Sequence, residues 1–148
     1  GKHLIMDGLV TIRTIGHGLA AQAVSAALAK GEEAGCPVVA AVIGATGELA
    51  ALLRASGAPF PSSQIAKDKA NTAASFRAPT TDVYEMVSGN PALRSGIAAQ
   101  PGIAMFGGGL PIVIGGEFVG AIGVSGGSED FDIACANAAL SAIGAAQH

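Results

Sequence analysis

The chain has 148 residues, of which 50% are hydrophobic and 4% aromatic, with a formal net charge of -3 at pH 7. This length suits one domain with a substantial core, so we expect residues 1–148 to fold as a single domain. The negative charge and the scarce aromatic rings argue against nucleic acid or an anionic membrane surface as a partner. No apolar run approaches the roughly 20 residues of a membrane-spanning helix, and two isolated cysteines without metal-ligand spacing favour a reduced, cytoplasmic protein with no metal site.

The first half of the chain predicts a helix over residues 13–34, a hairpin formed by residues 37–43 and 48–54, and a helix from Ser62 or Ser63 to about Phe76. The first helix is indicated by apolar residues at three- or four-residue spacing, ended by Gly35. The hairpin is indicated by a Val-rich run followed by turn glycines. The second helix stops because Pro79 cannot continue it.

The second half predicts one or two short helical pieces over residues 81–100, a hairpin around Gly115-Gly116, and a last helix that begins near Ser128. The two-residue glycine turn joins two apolar runs, which indicates a tight antiparallel hairpin. Acidic residues in the first turn of the last helix suit its positive end. The order α-ββ-α-(short α)-βββ-α predicts an α+β fold, an antiparallel sheet with helices packed on it.

A cation stands where apolar atoms are expected. Lys69 lies on the same helix face as Ala66, and burying its ammonium costs several kcal/mol unless an acceptor compensates. We therefore expect Lys69 either to extend its charge to water or to meet an acceptor in a cleft. With Arg54 it forms our favoured anion site, because Arg offers a planar two-point contact and Lys a point charge. An equal alternative is that Arg54 pairs with Glu48 or Asp82 while Lys69 reaches solvent.

Hydroxyls and glycines could line the same cleft. Thr80 and Ser125 are candidate ligand contacts, although such residues cap helix and strand ends far more often than they catalyse. Gly108 and Gly109 could let backbone N–H groups approach a ligand, or they could simply form a tight strand entry. The glycine runs do not match a dinucleotide or P-loop fingerprint.

His17 lies nearly on the same side of the first helix as Val24, facing an apolar layer or a subunit contact. An imidazole there could ligate haem iron, with Arg54 and Lys69 serving the propionates. The alternative is a hydrogen-bonded packing residue. His3 and His148 are weaker candidates because they lie near the ends of the given sequence.

Three segments carry a joint pattern. LLRASGAPFPSSQIAKDKANTAASF contains R..GA...S...A..KA.TA, and FGGGLPIVIGGEFVGAIGVSGGSEDFD contains GG.P followed by GAIGVSG. Together with PVVAAVI and its turn, this pattern resembles the GlcG/HbpS haem-binding (haem-degrading) domain family, which also forms the C-terminal part of PduO-type corrinoid adenosyltransferases. The resemblance extends over nearly the whole chain.

The resemblance implies a profilin-like sandwich with a five-stranded antiparallel sheet, self-association to a dimer or octamer, and a haem or corrinoid ligand. Family members usually carry Asp where this chain has Gly44 and Ser56, so any ligand or metal held by those carboxylates would lose its partners here.

Two functions remain open at this point. The first is a small-ligand-binding domain that holds haem or another tetrapyrrole in a cleft near a protomer interface, with His17 as axial ligand. The second is a cofactor-independent isomerase, lyase or hydrolase acting on a small carboxylate metabolite. In that enzyme Arg54 and Lys69 would anchor the carboxylate, and Lys69, Tyr84 or Ser125 would move a proton.

Overall fold

The computed structural model describes residues 7–148. The helices are α1 His17–Glu33, α2 Ser62–Phe76, α3 Thr80–Ser88, α4 Pro91–Ala98 and α5 Glu129–Ala142, and the strands are β1 Val39–Gly44, β2 Leu49–Arg54, β3 Gly109–Ile114 and β4 Glu117–Ser125. None of the helices in this part of the chain combines the length and apolar character that a membrane span requires.

The strands form one sheet in the order β2-β1-β4-β3, and every neighbouring pair is antiparallel. The predicted α+β class and both hairpins are confirmed. The prediction of five strands is wrong, because residues 7–148 form four. The segment before β3 is held by side chains instead of a strand partner: Ala104 N–H donates to Thr72 Oγ1 at 2.9 Å, and Gly107 N–H donates to Glu129 Oε1 at 2.7 Å. The profilin-like label stays a prediction.

Helices cover both faces of the sheet. Helices α1 and α5 pack against each other and against the face that carries Ala40 and Val42, where the larger hydrophobic cluster lies. Helix α2 packs on the opposite face, against Val39 and Ala41. Strand β1 is therefore buried at every position. Because side chains alternate between the faces of a strand, one Val- and Ala-rich run supplies both layers.

Helix α2 lies unusually close to the sheet. A Cβ atom added at Gly123 of β4 would lie 2.1 Å from the Ala66 carbonyl oxygen and 2.5 Å from the Ala70 nitrogen, both backbone atoms of α2. Only a residue without a side chain allows this approach. The close contact brings the middle of α2, which carries Lys69, to the end of β4.

Side chains cap two of the helix starts, whereas the cap expected from Ser62 or Ser63 is wrong: α2 follows Pro61 and no side chain of residues 7–148 caps it. The Asn90 side chain caps α4 by accepting from Leu93 N–H at 3.1 Å, and Ser128 caps α5 by accepting from Phe131 N–H at 3.2 Å. Helix α1 begins four residues later than predicted from Arg13. The preceding segment is extended instead, because Ile15 N–H donates to the Val119 carbonyl of β4 at 2.9 Å.

Candidate functional site

The Lys69 amine is enclosed by protein. Lys69 is 1% exposed and Asp132, at the start of α5, is 2% exposed. The amine donates to Asp132 Oδ2 at 3.1 Å and to the Val124 carbonyl at 2.9 Å. The other Asp132 oxygen accepts from Gly127 N–H at 2.9 Å. The acceptor that Lys69 meets is thus an internal carboxylate, and the alternative in which Lys69 reaches solvent is wrong.

Burial determines the protonation behaviour of this pair. Loss of water lowers the pKa of the Lys69 amine and raises the pKa of the Asp132 carboxyl, while the attraction between the two charges opposes both shifts. The Phe106 ring adds a cation–π contact, with its centroid 5.0 Å from Lys69 Nζ. The amine is therefore fully occupied by groups of this chain.

Thr80 and the glycines surround the same point. Thr80 Oγ1 donates to the Phe106 carbonyl at 2.6 Å and accepts from Gly109 N–H at 3.1 Å. A Cβ added at Gly108 would lie 2.7 Å from Lys69 Nζ and 2.5 Å from the Val124 carbonyl. The structure therefore brings Lys69, Thr80, Gly108 and Gly109 together, as a tightly packed cluster.

A cleft of about 280 Å³ opens beside this cluster. Its lining includes Thr80, Gly108, Gly109, Asp82 and His148. Lys69 lies directly behind Gly108 and does not line the cleft. The Asn137 side-chain amide holds the His148 backbone, because its Nδ2 donates to the His148 carbonyl and its Oδ1 accepts from the His148 N–H. One alternative paired Arg54 with Asp82, but these two residues form no hydrogen bond or ion pair with each other.

Arg54 and Ser125 lie on one row across the sheet, and neither lines that cleft. Val39 pairs with Arg54 on one side and with Ser125 on the other. The Arg54 guanidinium donates to the Ala58 carbonyl, and the Ser125 hydroxyl donates to Ser62 Oγ at 3.2 Å. Glu48, the other proposed partner of Arg54, instead accepts from Thr14 Oγ1 at 2.8 Å. No basic side chain contacts the Ser125 hydroxyl within residues 7–148.

His17 lies at the opposite end of the sheet. It is the first residue of α1 and is exposed, whereas Val24 on the same helix is buried. The preceding Ile15 is bonded to Val119, while Lys69 is bonded to Val124. Five residues of strand separate these two positions, roughly 16 Å. Within one protomer His17 and Lys69 therefore do not form a single haem site. His3 lies outside the described residues.

Sequence reasoning missed two acidic residues of the cluster, Asp132 and Glu129, which it assigned to the helix dipole. A signal was available for Asp132. It lies three and four residues before Cys135 and Ala136, so it belongs to the buried face of α5. Tyr84, a proposed proton carrier, lies partly exposed on α3 and does not line the cleft beside Thr80.

In the described part of the chain, no three His, Cys, Asp or Glu side chains are grouped closely enough to hold a metal ion. The Glu48 side chain fills the space beside Gly44, the position where relatives were expected to carry a carboxylate. A Cβ added at Gly44 would lie 2.0 Å from Glu48 Oε1. Ser56 lines a separate cleft with Cys36.

Comparison with known proteins agrees with this architecture. A 15.0 kDa protein from the dhaT-dhaS intergenic region of Citrobacter freundii is 35% identical over 130 residues, 87% of this chain and 92% of that protein. The solved structure of HbpS superposes with a TM-score of 0.83 at 30% identity, covering 93% of this chain and 96% of HbpS. A structure of a PduOC:heme complex gives a TM-score of 0.83 at 29% identity, covering 91% and 99%.

The family model described as "Haem degrading protein HbpS-like" matches residues 15–141, which include every strand and all but the last residue of the helices. The predicted resemblance is confirmed, and the chain belongs to the HbpS-like family.

Proposed function

We propose that this chain binds haem or a closely related tetrapyrrole at the His17 end of helix α1, in a cleft completed by a second protomer. The single observation that carries the proposal is the state of His17. Its imidazole is exposed and makes no hydrogen bond or ion pair with any of residues 7–148. A nitrogen that is accessible and uncommitted is what an axial haem ligand requires.

The surroundings of His17 suit a large apolar ligand with acidic groups. The extended segment before α1 exposes Leu9, Val10 and Ile12, which could contact the macrocycle. Arg13 extends a largely exposed guanidinium that is ion-paired with Glu117, and a propionate could share that cation. Arg13, four residues before His17 in the chain, thus replaces Arg54 and Lys69 as the proposed partner of a propionate.

A single protomer does not enclose such a ligand. The cleft at this end of α1 measures about 220 Å³ and is lined by Arg13, Gly16 and Leu19, among others, while His17 follows Gly16 directly but does not line it. Sites for drug-sized ligands usually measure roughly 300–1,000 Å³. A second copy packed against α1 would supply the missing wall, which agrees with a dimer or larger oligomer. The haem complex of the PduOC relative supports the ligand class.

The enzyme alternative draws no support from the geometry. The Lys69 amine is occupied by Asp132 and Val124, and the Ser125 hydroxyl is bonded to Ser62. Neither group faces a cleft with a free base.

Hemin titration tests the proposal. The protein should shift the hemin Soret band saturably, and His17→Ala should abolish or strongly weaken that shift. His148→Ala is the matched control, because His148 is also exposed but lies at the opposite end of the sheet, beside Thr80. An unshifted spectrum, or an equal loss in both variants, would contradict the assignment of His17.

A further inference from the structure

The two edges of the sheet, strands β3 and β2, are protected differently. On β3, Pro111 has no N–H to offer, the Val113 carbonyl accepts from Ala146 N–H at 2.9 Å, and the His148 ring lies 3.2 Å from the Pro111 carbonyl. Proline and a covering segment are common means by which proteins close a sheet edge. The β3 edge is therefore closed by this chain itself.

Strand β2 carries no proline, and no other segment among residues 7–148 covers its edge. Residues 49–53 contain neither a charge nor a proline, and among residues 7–148 their backbone bonds only to β1. Three leucines of this strand are exposed: Leu49 at 51%, Leu52 at 36% and Leu53 at 42%. An exposed apolar edge of this kind would recruit other strands nonspecifically unless a specific partner covers it.

The ends of β2 carry opposite charges. Glu48 immediately precedes the strand, and Arg54 is its last residue. Two copies related by a two-fold axis present the same patch to each other, and the paired strands then run antiparallel. The Glu48 end of each strand then lies beside the Arg54 end of the other, with leucines between them. A parallel arrangement would place like charges together.

We infer that β2 is a homotypic interface, in which it pairs antiparallel with β2 of a second copy and joins two four-stranded sheets. The register shift between β1 and β2 near Ala50 interrupts the regular ladder, so the leucines must supply most of the contact. The β2 interface does not depend on haem binding and is testable on the protein without ligand.

The first experiment measures the mass of the ligand-free protein by light scattering over a range of concentrations. Leu53→Lys should raise the dissociation constant roughly tenfold or more, because the lysine would be desolvated in the contact. Leu93→Lys on α4 is the matched control, since Leu93 is 44% exposed, and it should keep the wild-type mass. A monomeric wild type, or a Leu53→Lys variant with wild-type mass, would overturn the proposal.

The second experiment tests the antiparallel arrangement by exchanging charges. Glu48→Lys and Arg54→Glu should each weaken self-association, because each places like charges opposite one another. An equal mixture of the two variants should recover the higher mass, since every contact between unlike copies is again an opposite-charge pair. Circular dichroism checks that Glu48→Lys remains folded despite the lost bond to Thr14. A mixture whose mass is only the average of the two variants would contradict this arrangement.

Discussion

The 3.1 Å ion pair between Lys69 and Asp132 links helices that lie on opposite faces of the sheet. Lys69 belongs to α2, which covers one face, and Asp132 belongs to α5, which packs with α1 on the other. The pair passes around the end of β4, where Lys69 also holds the Val124 carbonyl. Because both charges are satisfied inside the chain, we predict a structural role for this pair.

Removing one member of the pair should be costly. Lys69→Met leaves the Asp132 carboxylate buried without its counter-charge, so we expect the free energy of unfolding to fall by about 3–5 kcal/mol. The double variant Lys69→Met/Asp132→Asn should lose less, because no charge stays buried and the amide can still accept from Gly127 N–H. Urea unfolding measures both. Lys30→Met, at an exposed lysine of α1, should change stability by less than about 0.5 kcal/mol; an equal loss at Lys30 and Lys69 would contradict this role.

The position of Lys69 could be predicted from the sequence, but its partner could not be assigned with certainty. Helical spacing placed Lys69 on an apolar face, and the structure buries it there. The same spacing places Asp132 on the buried face of α5. However, three acidic residues crowd that helix start, and the helix dipole explains all of them equally well. Which carboxylate reaches Lys69 depends on how two distant helices meet across a sheet, and a periodic pattern does not contain that information.

The predictions of a fifth strand and of a haem site that joins His17 to Arg54 and Lys69 were wrong for similar reasons. Residues 104–107 form no strand, and the N–H groups of Ala104 and Gly107 instead donate to the Thr72 and Glu129 side chains. The sequence also grouped His17, Arg54 and Lys69 as one haem site by residue type. The pairing of β1 with β4 separates His17 from the other two, because α1 starts beside Val119 whereas Arg54 and Lys69 lie near the Val124 end.

Thr80 should matter through its hydroxyl. Thr80→Val keeps the shape but removes the donor to the Phe106 carbonyl and the acceptor for Gly109 N–H. Because both backbone groups are then left without that partner, we expect a loss of about 1–3 kcal/mol in the free energy of unfolding. Thr80→Ser retains the hydroxyl and should lose less. If the Val variant proved as stable as the Ser variant in urea unfolding, the two hydrogen bonds of the Thr80 hydroxyl would contribute nothing to stability.

Gly123 should tolerate no side chain. In Gly123→Ala the new methyl would contact backbone atoms of α2, the Ala66 carbonyl and the Ala70 nitrogen. The helix would have to move off the sheet, so we expect a loss of about 3 kcal/mol or more. Gly96→Ala on α4 is the control, in which the free energy of unfolding should rise instead of fall. Its Cβ meets nothing within 4 Å, so it should gain about 0.5–1 kcal/mol. Thermal unfolding of both variants measures the difference; two losses of similar size would argue against close packing at Gly123.

Cys135 should make stability fall at alkaline pH. Burial raises the pKa of the Cys135 thiol from 9.0 to about 11. Between those values the folded chain holds a proton that the unfolded chain has released, so the free energy of unfolding decreases as pH rises from 9 to 11. The contribution amounts to roughly 2–3 kcal/mol. Cys135→Ala lacks this thiol and its contribution. The lowered pKa of Lys69 makes the free energy of unfolding rise with pH instead, but this effect is common to both proteins and cancels in the comparison. Urea unfolding at pH 8, 9, 10 and 11 should therefore show the free energies of unfolding of the wild type and Cys135→Ala converging as pH rises, because the wild type loses its advantage. A constant difference between the two proteins would mean that the thiol ionises equally easily in the folded and unfolded chains.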